Sequence, residues 1–137
     1  MTAGAPRGPA VLWTAAWLFW MALIAISSHF PGAAYPEPPF AGADKAVHIG
    51  IYFVLGVLGV GALARIRPEW PRPMWGSTAL VVGALFGALD EYHQSFVMGR
   101  EQSMQDWLTD LLGLAVAVII ARAARGRLAR GWLGQEG

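Results

Sequence analysis

The sequence predicts an all-α fold, an integral membrane bundle of four transmembrane helices. Three observations lead there. Apolar residues make up 55% of the 137 and charged residues 14%. A soluble domain carries about a quarter charged residues, so this chain has too few to coat a water-facing surface. Mean hydropathy is +0.44. The apolar residues also come in long blocks rather than alternating patterns, and four blocks approach the ~20 residues that cross a bilayer.

The first block, from about Ala10 to Ser28, carries no charge. Its alternative is a cleaved signal peptide, with Gly32-Ala33-Ala34 as the small-residue cleavage site. The apolar stretch is longer than the ~7–15 residues of such a signal's core, so a retained helix is expected. Pro31, Pro36, Pro38 and Pro39 then crowd Phe30 to Phe40. Proline blocks the backbone hydrogen bonds of a helix interior, so this stretch predicts a loop outside the hydrocarbon.

The second helix is expected from Asp44 to Ala64, with Gly50, Gly56, Gly59 and Gly61 allowing close helix contact in lipid. Arg65, Arg67, Pro68, Pro71, Arg72 and Pro73 form a basic, proline-rich turn. The third helix is expected from Met74 to Gln94, with Ala79, Gly83 and Gly87 every four residues. The fourth runs from Asp106 to Ala124, where Gly113, Ala117 and Ala121 repeat that spacing. Small residues on one stripe read as packing seams. Helices two, three and four should form the core, with the first more peripheral. Residues 1–9 then form an N-terminal stub, 10–124 the membrane domain and 125–137 a basic tail that either extends the last helix or frays. Of seven tryptophans, Trp13, Trp17, Trp70, Trp75, Trp107 and Trp132 fall near segment ends, where indoles favour the headgroup level; Trp20 is more central.

Charge gives the expected orientation. Eight of ten basic residues lie in the N-terminus, the middle turn and the tail: Arg7, Arg65, Arg67, Arg72, Arg122, Arg125, Arg127 and Arg130. Positive loops stay in the cytoplasm, which predicts a plasma or inner membrane protein with both termini cytoplasmic. A net charge of +1 offers nothing to nucleic acid, and the absence of cysteine excludes disulfides.

The opposite face gathers carboxylates: Glu37, Asp44, Asp90, Glu91, Glu101, Asp106 and Asp110. Asp44, His48 and Tyr52 are four apart and share one face of the second helix. Asp90 and Gln94 share a face of the third. Arg100 and Ser103 precede Asp106, with Asp110 one turn deeper. An ionisable group inside a membrane costs about 2.5–3.5 kcal/mol on insertion scales, so the acids are expected to share Lys45, His48 and Arg100. His29 and His93 are read as interfacial, and Glu37 and Glu101 as solvated. His48 with two carboxylates could ligate a divalent ion, but no spacing matches a diagnostic metal motif, so no metal and no cofactor is expected.

The stretches ADKAVHIGIYFVLG and ALFGALDEYHQSFVMGREQSMQDWLTDLLG resemble the VanZ-like family. Its pattern of D-K-x-x-H-x-x-x-Y, D-E-x-x-Q and G-R-x-x-S-x-x-D is met at Asp44, Lys45, His48, Tyr52, Asp90, Glu91, Gln94, Gly99, Arg100, Ser103 and Asp106, and Gly113 matches the glycine below. Asp110 stands where many members carry Asn, and Met98 where many carry Pro. The family takes its name from a protein associated with teicoplanin resistance, so the resemblance implies a cell-envelope place rather than a particular reaction.

The expected function is therefore recognition of a polar headgroup or envelope precursor at the outer face, through Lys45, His48 and Arg100. One alternative is an intramembrane enzyme acting on a lipid-linked precursor, with His48 as acid or base and Asp90 or Glu91 orienting it. Others are a small ion or proton pathway, which would need an oligomer to enclose a pore, and an ion-pair network that only fixes helix register. The expected partners are the lipid bilayer and such a headgroup.

Overall fold

Prolines and glycines decide where the helices begin and end. The computed structural model describes residues 7–36 and 38–133, with side chains over 8–36 and 38–124. The readings for Glu37 and for the side chains of Arg7, Arg125, Arg127, Arg130 and Trp132 lie outside the described residues. So do those for the N-terminal stub before Arg7 and for residues 134–137.

Four long helices follow in order: α1 (Arg7–Ser28), α2 (Ala43–Ile66), α3 (Arg72–Gln94) and α4 (Met104–Leu133). No strand occurs among the described residues. Within the proline-rich loop a single 3-10 turn survives at Gly32–Ala34. At the start of α2, Gly42 takes φ +85, a left-handed conformation that glycine adopts at no steric cost. Pro71 precedes α3, and Pro73 sits in its first turn, where no backbone donor is lost. Ser103 starts α4 by accepting the Asp106 N–H at 3.2 Å. Helix α4 extends past the expected Ala124 because the tail is rich in Ala, Arg and Leu, all strong helix formers, and holds no proline.

Contacts set the directions. Trp13 packs on Gly61, Trp17 on Gly59, and the Trp20 indole donates to the Ile51 carbonyl at 3.0 Å, so α1 and α2 are antiparallel. A β-carbon at Gly56 would lie 2.7 Å from that of Ala117, and Gly113 abuts the Ile49 carbonyl, so α2 and α4 run parallel. Gly76 meets Val118 and Gly83 meets Leu114, which makes α3 antiparallel to α4. Helix α2 touches all three others, while among the described residues α1 reaches α2 and α3 but not α4. The buried centre holds Tyr52, Leu55, Ala62, Ala79, Leu114 and Ala117.

Three expectations change here. Gly50 faces open space rather than a seam. Gly59 and Gly61 admit the indoles of α1, not the third or fourth helix, and Trp17 belongs to the core instead of the headgroup level. Helix α1 is thus keyed into α2 by large-into-small packing, yet it remains the more peripheral helix, as expected.

The outside of the bundle is apolar. Leu12, Phe19, Ile26, Leu85, Leu89, Leu108 and Ile119 are each more than half exposed. Gly8–Ser28, Ala43–Ile66 and Met104–Ala124 are long and apolar enough to cross a membrane. Helix α3 has 23 residues but ends in Asp90, Glu91 and His93, which lowers its mean hydropathy.

Candidate functional site

The parallel register of α2 and α4 places residues about 61 apart in sequence side by side. Lys45 bonds Asp106 and also meets Asp44 at 3.1 Å. One turn deeper, His48 Nδ1 lies 2.8 Å from Asp110 Oδ1. Asp110 is only 1% exposed. Helix α3 delivers Glu91 to the same place, and its Oε2 accepts the Ser103 backbone N–H at 2.9 Å. The four-residue spacing thus brings His48 to α4 and Tyr52 to α3, and Lys45 reaches Asp106, whereas Asp44 stays exposed beside Lys45.

A second network lies between α1 and α3. Ser28 Oγ donates to Asp90 Oδ2 at 2.6 Å. The Gln94 amide donates to the same oxygen at 3.1 Å. Arg100 Nη1 donates to Gln94 Oε1 at 3.4 Å, its Nε reaches the Phe30 carbonyl at 3.4 Å, and its guanidinium stands 4.6 Å from the Tyr35 ring centroid. The expected sharing of Arg100 among carboxylates does not occur, because the intervening Gln94 holds the guanidinium away from Asp90. Asp90 is satisfied by neutral donors, and Asp110, not Asp90 or Glu91, bonds the His48 ring.

Between the networks opens a cleft of about 570 Å³, within the ~300–1,000 Å³ usual for small-molecule sites. Ile24, Val47, Ile51 and the loop prolines form its apolar wall. His48, Tyr52, Asp90 and Gln94 supply polar groups, and Asp44 and Arg100 also line it. Ser103, Asp106 and Glu91 brace the site from behind and do not line this cleft. The loops over it are pinned by Gly32, whose N–H donates to the Met98 carbonyl at 3.1 Å. Gly99 lies against Gly32 and takes φ +72, a conformation suited to glycine.

Two buried side-chain atoms lack a hydrogen-bond partner among the described residues, Tyr52 Oη and Glu91 Oε1. His48, Glu91 and Asp110 each offer a donor atom, all within 4.8 Å of one another. They come from three helices, which is why no sequence spacing could reveal a metal-capable set. His29 and His93 stack with centroids 5.5 Å apart at the surface.

Sequence reasoning missed Ser28, the Phe30 carbonyl and Tyr35. The only available signal for Ser28 was a serine pair ending an otherwise apolar helix.

A family model described as VanZ/LLP1 matches residues 13–125. No curated protein matches the chain, and no solved structure does.

Proposed function

We infer, because the chain belongs to the VanZ/LLP1 family and has helices able to cross a bilayer, that it is a multi-pass cell-envelope protein that recognises an anionic lipid headgroup. All four helices cross the membrane in this reading, with both termini cytoplasmic and the cleft at the outer leaflet. The bias of eight basic residues toward the opposite end supports that orientation.

One observation carries the choice of ligand. Lys45 is matched by Asp44 and Asp106, and His48 by Asp110, whereas Arg100 pairs with no carboxylate among the described residues. Its guanidinium lines a cleft whose other wall is apolar. A planar fork of N–H donors suits a phosphate, and Ile24, Val47 and Ile51 suit the adjoining acyl or prenyl chain.

The test is lipid-dependent thermal stabilisation of the purified protein. Phosphatidylglycerol and undecaprenyl phosphate should raise the unfolding temperature, while phosphatidylcholine should not. A hydrogen bond to a charged group contributes about 1.5–3 kcal/mol, so Arg100→Ala should weaken the effect roughly 10- to 100-fold at ~1.4 kcal/mol per decade. Stabilisation that is equal for all three lipids, or unchanged in Arg100→Ala, defeats the reading.

The His48–Asp110 pair favours a second reading, acid–base catalysis on a lipid-linked precursor. A carboxylate on one ring nitrogen fixes the tautomer and leaves the other free to move a proton. It predicts turnover of such a lipid, lost in His48→Gln; unchanged precursor with and without protein would remove it.

A further inference from the structure

We propose that His48, Glu91 and Asp110 bind one first-row divalent cation, of the class of Zn2+ or Mn2+. Each ligand stands on a different helix, α2, α3 and α4, and their donor atoms already lie within 4.8 Å of one another. Ligands at the ~2.0–2.2 Å of a zinc–nitrogen or zinc–oxygen bond stand ~3–3.5 Å apart in a tetrahedron. The cation takes the place of the proton shared by His48 Nδ1 and Asp110 Oδ1, which part from 2.8 Å, and Glu91 closes in to complete the set.

Hydrogen bonding points the same way. Glu91 is 3% exposed, and its two oxygens are used unequally. Oε2 is held by the Ser103 N–H, while Oε1 is buried with no partner among the described residues. Buried polar atoms in native proteins are nearly always satisfied. Tyr52 Oη, the other orphan, lies beside Asp110: a β-carbon built at Gly87 would sit 3.3 Å from Tyr52 Oη and 3.4 Å from Asp110 Oδ2. Gly87 thus lets Tyr52 and Asp110 pack directly against α3.

Charge adds a third reason. Lys45 is matched by Asp44 and Asp106, and Arg100 stands beyond Gln94, so among the described residues the His48 imidazole is the one basic group that faces the buried carboxylates of Glu91 and Asp110. A dication balances both. One imidazole and two carboxylates, with no sulfur ligand, suit Zn2+ or Mn2+ rather than Cu+. His48 also lines the cleft, which supplies the path of entry. The site stands whether or not the cleft takes a lipid, since its test contains the cation alone.

The experiment is calorimetric titration of ZnCl2, and separately MnCl2, into chelator-treated protein in detergent, with thermal unfolding followed by tryptophan fluorescence. One cation per chain and a raised unfolding temperature are expected. Glu91→Gln and Asp110→Asn should each lower affinity at least tenfold, whereas a His29→Gln/His93→Gln double variant should keep the single site. Absence of binding by either cation, or loss of binding in the double variant, overturns the proposal. If Glu91→Gln and Asp110→Asn fail to fold, zinc-edge X-ray absorption on the unsubstituted protein decides. One imidazole with oxygen neighbours is expected; two imidazoles, or none, overturns it.

Discussion

Asp90 shows how a single carboxylate can sit in a buried place without a cation. Ser28 and Gln94 both donate to its Oδ2. Removing the acceptor strands the Ser28 hydroxyl and leaves the Gln94 amide only its longer bond to Ser28 Oγ at 3.3 Å, and a buried donor left unmade costs about 1–3 kcal/mol. Asp90→Ala should therefore lose ~2–4 kcal/mol in denaturant titrations in mixed micelles, and Ser28→Ala about 1–2. A loss in Asp90→Ala no larger than in Ser28→Ala would show that the network is not cooperative. Tyr52 predicts the opposite sign. Its hydroxyl is buried beside Asp110 with no partner at hydrogen-bond distance among the described residues, so Tyr52→Phe in chelator-treated protein should be neutral or stabilise by up to ~1 kcal/mol; a clear loss would mean that the hydroxyl is bonded. At this scale the sequence was informative about residue types and uninformative about pairing. His48 and Asp110 are legible as polar intruders in apolar blocks, but their bond depends on helix register, which no local pattern encodes. Ser28 was overlooked because serine is common at helix ends for reasons unrelated to any site.

The elements were more legible than their contacts. Proline density and charge-free length place all four helices, and the small-residue stripes of α3 and α4 do face inward at Ala79, Gly83, Gly87, Gly113 and Ala117. Period alone could not say which glycine of α2 meets which neighbour, since its glycines point to three sides of the helix. Gly113 and Gly50 make that difference measurable. A side chain at Gly113 would strike the Ile49 carbonyl and the Phe53 N–H, both main-chain groups that cannot swing aside. Gly113→Val should then separate α2 from α4 and cost more than ~2 kcal/mol, within the range of overpacked cores. Gly50→Ala meets no neighbouring atom and should be neutral or gain about 0.5–1 kcal/mol from helix propensity. Comparable losses in both variants, measured by unfolding in mixed micelles, would refute the assigned α2–α4 seam.

For the molecule as a whole, orientation is the cheapest property to test. A reporter fused after Gly137 should read cytoplasmic, and one inserted near Pro36 should read exterior; the reverse pattern would put the cleft on the wrong side for an outer-leaflet lipid. The alternating directions of the helices collect Ser28, His48, Asp90 and Asp110 at one end even though they are spread over all four. That assembly follows from the alternating helix directions rather than from any one motif. The main-chain bond from Gly32 to Met98 has a consequence for traffic through this end. It ties the loop after α1 to the loop after α3 at the cleft end of the bundle. In the orientation proposed, a solute entering from water would have to tear that seam, whereas an amphiphile arriving along the Ile24 and Val47 wall of the cleft would leave it intact.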